Sequence, residues 1–109
     1  MAEGVTKVTD KDFDAQVGKS SGIVLVDFAA SWCPPCRMLS PIIAQVAGEV
    51  AGKAKVYSLD VDESRNTAAK FNVMNVPTMI FFKGGKEAAR IVGVVPRERI
   101  VEQITALSK

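Results

Sequence analysis

The sequence predicts an α/β fold: one central mixed sheet with helices on both faces. Three observations carry this expectation. Strand-like and helix-like stretches alternate along the chain in the order β-α-β-α-β-α-β-β-α. The segment Ile23 to Phe28 is nearly continuous apolar and rich in branched residues, as a strand covered on both faces should be. Gly84 and Gly85 separate two strand-like runs, which signals a tight hairpin and so an antiparallel pair in the sheet. With 109 residues, 48% of them hydrophobic, the chain has the size and apolar content of a single domain spanning residues 1–109.

The elements follow in order. Val5 to Val8 reads as a short first strand. Thr9 offers an N-cap oxygen, Asp10 and Asp12 suit a first helical turn, and Phe13 and Val17 have helical spacing. Ser20, Ser21 and Gly22 interrupt the chain before the central strand. Pro34 to Val50 forms a long helix whose core stripe is Leu39, Ile43, Val46 and Val50. Pro41 lies inside it and should kink it, since proline lacks the N–H and crowds the preceding turn. Gly52 closes this segment and Lys55 to Val61 supplies another strand. Ser64 can cap a short helix running to Phe71. Thr78 to Phe82 and Glu87 to Val92 are the hairpin strands. Pro96 opens a last helix with Ile100, Ile104 and Leu107 on one face. Strands separated by helices should run parallel.

Bulk properties exclude several functions. Charged residues make up 24% of the chain and are interspersed, with a net charge of +2, so no basic field marks a nucleic-acid partner. The longest apolar stretch, Ile23 to Ala30, is interrupted by Asp27 and is too short to span a bilayer, so no membrane association is expected. The beginning MAEGVTKVTDKDF has no basic start followed by an apolar run, so no signal peptide is read there and a cytoplasmic location is expected. The chain holds two cysteines and no histidine. Cys–His and Ser–His nucleophile systems are therefore unavailable, and a tetrahedral zinc site lacks ligands, so no metal is expected.

The two cysteines stand in Trp32-Cys33-Pro34-Pro35-Cys36, where an apolar strand passes into a helix. Residues three apart on a helix are surface neighbours, so the sulfurs can reach bonding distance. Closing so small a ring constrains the unfolded chain by only roughly 2 kcal/mol, against about 4.7 for a 100-residue loop, so the bridge suits a reversible switch better than a staple. Cys33 precedes the helix, where unpaired N–H groups and the dipole favour an anion and lower the thiol pKa. A more ionised Cys33 is the better nucleophile and leaving group. Cys36, one turn inside, should be the more buried and resolve a mixed disulfide. The plainer alternative is two buried cysteines without redox function.

Asp27 is anomalous in its own right. A carboxylate in Ile23-Val24-Leu25-Val26-Asp27-Phe28 is expensive to bury, and burial raises its pKa, which makes it a proton acceptor where histidine is absent. The alternative is a carboxylate turned to the strand end and solvated.

Val26-Asp27-Phe28, Trp32-Cys33, Pro35-Cys36, Pro41, Val76-Pro77-Thr78, the Phe82-Lys83-Gly84-Gly85 turn and Gly93 together resemble the thioredoxin family, at matching spacing over nearly the whole chain. The resemblance implies the thioredoxin fold, a central five-stranded mixed sheet flanked by four helices. It implies a monomeric protein-disulfide reductase that needs no cofactor beyond its Cys33–Cys36 pair. Protein disulfides would be its substrates, and its electrons would come from NADPH through a flavoprotein thioredoxin reductase. Cys33 matches the attacking cysteine, Cys36 the resolving one, and Asp27 the acid behind the second cysteine. Trp32 matches an indole beside the pair, although plain core packing would also explain it. Pro77 matches a cis-proline facing the disulfide, with Val76 presenting its backbone to an extended substrate segment. Gly93 matches a position where a side chain would obstruct substrate, although a turn glycine would read the same way.

Three departures stand out. The family's usual Gly-Pro between the cysteines is Pro34-Pro35 here, a pair expected to modulate the redox potential. Ser58 occupies the position where the family pairs its buried acid with a lysine. Asn75 replaces a common glycine beside the docking loop. Rival functions are a reductase dedicated to one partner, a binding module with an incidental dithiol, and an iron–sulfur cluster bridging two chains. Insulin reduction, coupling to a reductase and iron content discriminate among them.

Overall fold

The computed structural model describes residues 4–109. The reading of the N-terminus as free of a targeting segment rests partly on residues 1–3, which lie outside the described residues. The sheet has five strands: β1 (Thr6–Lys7), β2 (Ile23–Ala29), β3 (Ala54–Asp60), β4 (Thr78–Lys83) and β5 (Lys86–Val92), in spatial order β1-β3-β2-β4-β5. The helices are α1 (Pro34–Glu49), α2 (Arg65–Lys70) and α3 (Arg97–Leu107), joined by a fourth helical segment, the π-type turn Asp14–Gly18. No helix among the described residues is long and apolar enough to cross a membrane.

Strand β2 lies at the centre, parallel to β3 and antiparallel to β4, and all its residues but the last are buried. Its period-two alternation sorts its side chains onto two faces. Ile23 and Leu25 join Met79, Phe81 and Ile91 beneath Leu39, Ile43, Val46 and Val50 of the α1 segment and Ile100 and Ile104 of α3. Val24, Val26 and Phe28 join Ile80 and Phe82 on the opposite face, against Phe13, Val17 and Ala68. There the half-buried Phe71 centres an aromatic cluster, with ring centroids 5.4 Å from Phe13 and 5.2 Å from Phe82. The predicted α1 stripe is therefore the observed one, and α1 continues through Pro41.

The structure corrects three expectations. First, β4 follows a helix yet runs antiparallel to β2. Strand β3 has seven residues and spans about 23 Å, whereas the six-residue α2 covers only about 9 Å, too little to carry the chain back along the sheet. The chain therefore re-enters where β3 left. Second, Thr9 does not cap a helix with its oxygen. Its N–H donates to the Asp12 carboxylate at 2.7 Å, and Lys19 N–H reaches Asp14 O at 2.8 Å, an i−5 bond that sets the π-type turn. Third, Ser64 occupies the N-cap of α2 without capping through its side chain. Asp10 caps α2 from 57 residues away, accepting from Thr67 N–H at 2.9 Å and Thr67 Oγ1 at 2.7 Å, while Ser64 Oγ accepts from Asp10 N–H at 3.2 Å. These donors, Thr67 hydroxyl first, hold the Asp10 pKa below its ordinary value.

The β4–β5 hairpin turns through Gly84 and Gly85, both at positive φ (60° and 81°). Their surroundings differ. A Cβ on Gly84 would meet open space, whereas one on Gly85 would lie 2.0 Å from the backbone carbonyl oxygen of Gly18. Gly84→Ala should cost about 1 kcal/mol from the left-handed backbone alone. Gly85→Ala should cost about 3 kcal/mol or more, because a backbone oxygen cannot yield as a side chain can. Urea unfolding of both variants checks this; equal losses would contradict the close approach of hairpin and π-type turn.

Candidate active site

The site forms where β2 hands over to α1. Cys33 is the N-cap of α1, with extended dihedrals (φ −95°, ψ 110°), and Pro34 and Pro35 fill the first two helical positions. Prolines fit there because their φ is preset, but neither offers an N–H. The first helical donor is Cys36 N–H, which points at Cys33 Sγ at 3.2 Å. Cys33 and Cys36 are joined as a disulfide with Cα atoms 5.3 Å apart. The expectation that Cys36 is the more buried is not met. Both residues are buried, at 2% exposure for Cys33 and 5% for Cys36. The reason is that Val76 comes over Cys33, its carbonyl oxygen 3.7 Å from Sγ, while Cys36 lines a cleft on the other side.

The Val76–Pro77 peptide bond is cis. Its loop is fixed from two sides: Thr78 Oγ1 donates to Asn75 O at 2.6 Å, and Gly93 N–H donates to Pro77 O at 2.9 Å. Gly93 has φ +93° with open space where a Cβ would stand, so its backbone conformation by itself demands glycine. Cys33, Val76, Pro77 and Gly93 are thus brought together from three segments of the chain. Trp32 is not core: it is 63% exposed beside Cys33. Its indole N–H donates to Asp62 Oδ2 at 2.8 Å, and Asp62 N–H in turn donates to Asp60 Oδ1 at 2.8 Å. Asp62 was not singled out in the sequence. The acidic run Asp60-Val61-Asp62-Glu63 at the end of a strand is its one signal.

Asp27 is buried, 5% exposed, which removes the solvated strand-end alternative. Alternation sends it to the α1 face next to Leu25, where an apolar side chain would ordinarily stand. Its Oδ1 is buried without a hydrogen-bond partner, and desolvation pushes its pKa up to about 7. The register pairs Asp27 with Ser58 on β3, and Ser58 with Lys7 on β1. Lys7 is engaged by Glu63, so its ammonium is not a partner for the acid. Asp27 and Cys36 both line a cleft of about 280 Å³, whose rim carries Ser40, Ser58, Lys7 and Arg37. Among the described residues, no group of three or more His, Cys, Asp or Glu side chains is disposed to hold a metal ion.

A cysteine pair bridged across the first turn of a helix, facing a cis-proline loop at one end of a mixed sheet, can cycle between dithiol and disulfide. That chemistry and this architecture define a thiol–disulfide oxidoreductase. The thioredoxin family model matches residues 4–106. The chain is 48% identical over 98 residues to a thioredoxin of Staphylococcus epidermidis, covering 90% of this chain and 92% of that protein. It is 48% identical over 100 residues to a thioredoxin of Staphylococcus saprophyticus, with 92% and 94% covered. A Staphylococcus aureus thioredoxin shows the same 48% identity over 98 residues. The chain belongs to the thioredoxin family.

The raised Asp27 pKa fixes a pH dependence. Unfolded, the acid titrates near 3.8; folded, near 7. Between these values the native state holds a proton that the unfolded chain has released, so stability falls as pH rises through this window. The accumulated penalty above pH 7 is roughly 4 kcal/mol. Asp27→Asn should therefore raise stability by a few kcal/mol at pH 8 and change it little at pH 3.5. Urea unfolding at both pH values tests this; an equal gain at both would show that the carboxylate charge is not the cause.

Proposed function

We propose that this chain reduces protein disulfides through attack by Cys33 and resolution by Cys36. The single observation that carries the reading is the position of Cys33 at the start of α1, with Cys36 N–H directed at its sulfur under the Val76–Pro77 loop. In the reduced protein the Cys33 thiolate attacks one sulfur of the substrate disulfide. A mixed disulfide forms and one substrate thiolate leaves. Cys36 then loses its proton to Asp27, across the cleft that both line, and attacks Cys33 Sγ. The second substrate thiolate departs and the Cys33–Cys36 disulfide remains. A carboxyl group titrating near 7 is suited to this transfer, because near neutral pH it is available in both forms.

The substrate-docking face in this reading consists of Trp32, Val76, Pro77 and Gly93. An extended substrate segment would lie against the Val76 backbone as an added strand does. The chain acts as a single-domain monomer in the cytoplasm, with no cofactor beyond its own cysteine pair. An NADPH-dependent thioredoxin reductase restores the dithiol. The family membership supports this partner.

Pro34 and Pro35 modulate the potential. An N-cap group accepts from the N–H of the second or third helical position. With Cys33 as N-cap, the donor missing at the second position is that of Pro35, while Pro34 removes one that would be unpaired in any case. Pro35→Ala should add a donor to the thiolate and make the protein more oxidising, on the order of 30 mV for about 1.4 kcal/mol. Pro34→Gly should shift the potential in the same direction by less, through backbone freedom alone. Equilibration with glutathione buffers measures both; an unchanged or lower potential in Pro35→Ala would refute the donor argument.

Cys33→Ser should abolish insulin-disulfide reduction with dithiothreitol as electron source. Cys36→Ser should retain attack and accumulate a covalent adduct with a peptide disulfide, visible by mass spectrometry. An adduct on the Cys33 variant and none on the Cys36 variant would reverse the roles.

A further inference from the structure

The large hydrophobic side chains standing exposed among the described residues are Trp32, Met38, Met74, Val92 and Val94. All of them flank the segments that meet at the disulfide. Trp32 precedes Cys33, Met38 lies two residues beyond Cys36, and Met74 lies two residues before Val76. Val92 and Val94 bracket Gly93. Met74 is the most exposed of the set at 86%, whereas Met79, inside β4, is wholly buried. The Met74 thioether is thus open to solvent on the loop whose Val76 carbonyl lies 3.7 Å from Cys33 Sγ. Two residues of chain span about 7 Å at most, and the backbone bends at Asn75 and Val76, so a segment docked along Val76 passes within reach of the Met74 side chain. Methionine is well suited to such a surface: it is flexible, polarisable and apolar, and adapts to varied partners.

We propose that Met74 is an oxidation-sensitive part of the docking face, where a hydroperoxide converts its thioether to the sulfoxide and thereby weakens the binding of protein disulfides. The inference rests on the reading that the 76–77 loop receives substrate. The reaction balances without any further reagent. A lone pair on the Met74 sulfur attacks the hydroxyl oxygen of the hydroperoxide, the S–O bond forms, the O–O bond breaks, and the proton of the attacked oxygen passes to the departing one, which leaves as water or alcohol. Sulfur is oxidised by two electrons and the peroxide is reduced by two. While Cys33 and Cys36 form their disulfide, no thiolate at the site competes for the oxidant. The product carries a polar S=O group that docking would have to desolvate on a surface built from apolar side chains. The bond between Cys33 and Cys36 is untouched, so exchange with small thiols continues.

The experiment treats the disulfide form of the full chain with hydrogen peroxide and removes the oxidant. Peptide mass mapping then finds the added oxygen. Two rates follow: reduction of the treated protein by dithiothreitol, and insulin reduction across a range of insulin concentrations. The expected result is oxygen on Met74 and none on Met79. Insulin kcat/KM should fall roughly fivefold through a rise in KM, as the loss of one partly buried apolar contact predicts, with the dithiothreitol rate unchanged. Met74→Leu, whatever its starting rate, should show the same insulin kinetics before and after treatment, while Met38→Leu should remain sensitive. The proposal is overturned if Met74 carries oxygen and insulin kinetics do not change, if Met74 resists oxidation that Met38 undergoes, or if Met74→Leu loses as much as the unsubstituted chain. Failure of the untreated chain to reduce insulin would instead count against the docking reading itself, and the proposal would fall with it.

Discussion

Strand β2 is the constraint from which the rest of the molecule follows. It is hydrogen-bonded on both edges, parallel to β3 and antiparallel to β4, and covered on both faces. A segment so enclosed must be apolar almost throughout, and it has one well-defined exit, its carboxyl end at Ala29. Strand β3 leaves the sheet at the same end, β5 ends there too, and β4 begins there because it runs the other way. Four strand ends therefore deliver Ala30–Cys33, Asp60–Asp62, Val76–Pro77 and Gly93 to one place. In open α/β sheets this is the edge at which ligands bind, since the carboxyl ends of strands face the amino ends of helices. The antiparallel direction of β4 is what makes the cis-proline loop part of that edge.

Asp27 shows what the enclosure costs. Every other residue of β2 buried on the α1 face gives roughly 1.5–3 kcal/mol of apolar transfer. Asp27 returns none of this and carries a charge penalty of a few kcal/mol above pH 7, a large share of the 5–15 kcal/mol typical of a whole domain. The penalty would be relieved by a nearby cation, but Ser58 stands at the paired position and Lys7 is engaged with Glu63. The carboxyl therefore stays desolvated, on a cleft that Cys36 also lines. A group this costly, this unpartnered and this close to a reactive sulfur is difficult to account for by stability.

Much of this was legible in the sequence because it is local. The apolar run of β2, the α1 stripe, the paired glycines of the hairpin and the spacing of the cysteines each lie within a few residues of the physics they express. The Asp27 anomaly was legible for the same reason: alternation alone sets it on a core face. What could not be read were contacts made across the chain. Asp10 belongs by position to a first helical turn, yet it caps α2 from 57 residues away. Trp32 reads as core or as site from its neighbours alone, and it is Asp62, 30 residues on, that accepts from its indole at the surface. Helix position alone does not set the relative burial of the two cysteines. Burial there is decided by the 76–77 loop, which arrives from another part of the chain.

Two of the three departures from the family pattern, the prolines and Ser58, act on different halves of the proposed cycle. The prolines lie on the Cys33 side, where they leave Cys36 N–H as the one helix-start donor directed at the sulfur. A thiolate with fewer donors is less stabilised, which lowers its advantage as a leaving group and shifts the couple toward the disulfide. Ser58 lies on the Cys36 side, where no cation pairs with the acid and desolvation keeps the Asp27 pKa high, which makes it a stronger proton acceptor than an ordinary aspartate. In the proposed cycle, stronger proton acceptance from Cys36 would hasten closure of the ring, and closure is also what scarce donors at Cys33 would favour. Both changes therefore drive the mixed disulfide toward release of reduced substrate. On the proposed cycle, a protein biased in this way would serve as a reductant rather than an oxidant, given an electron donor able to open a disulfide that is correspondingly harder to reduce.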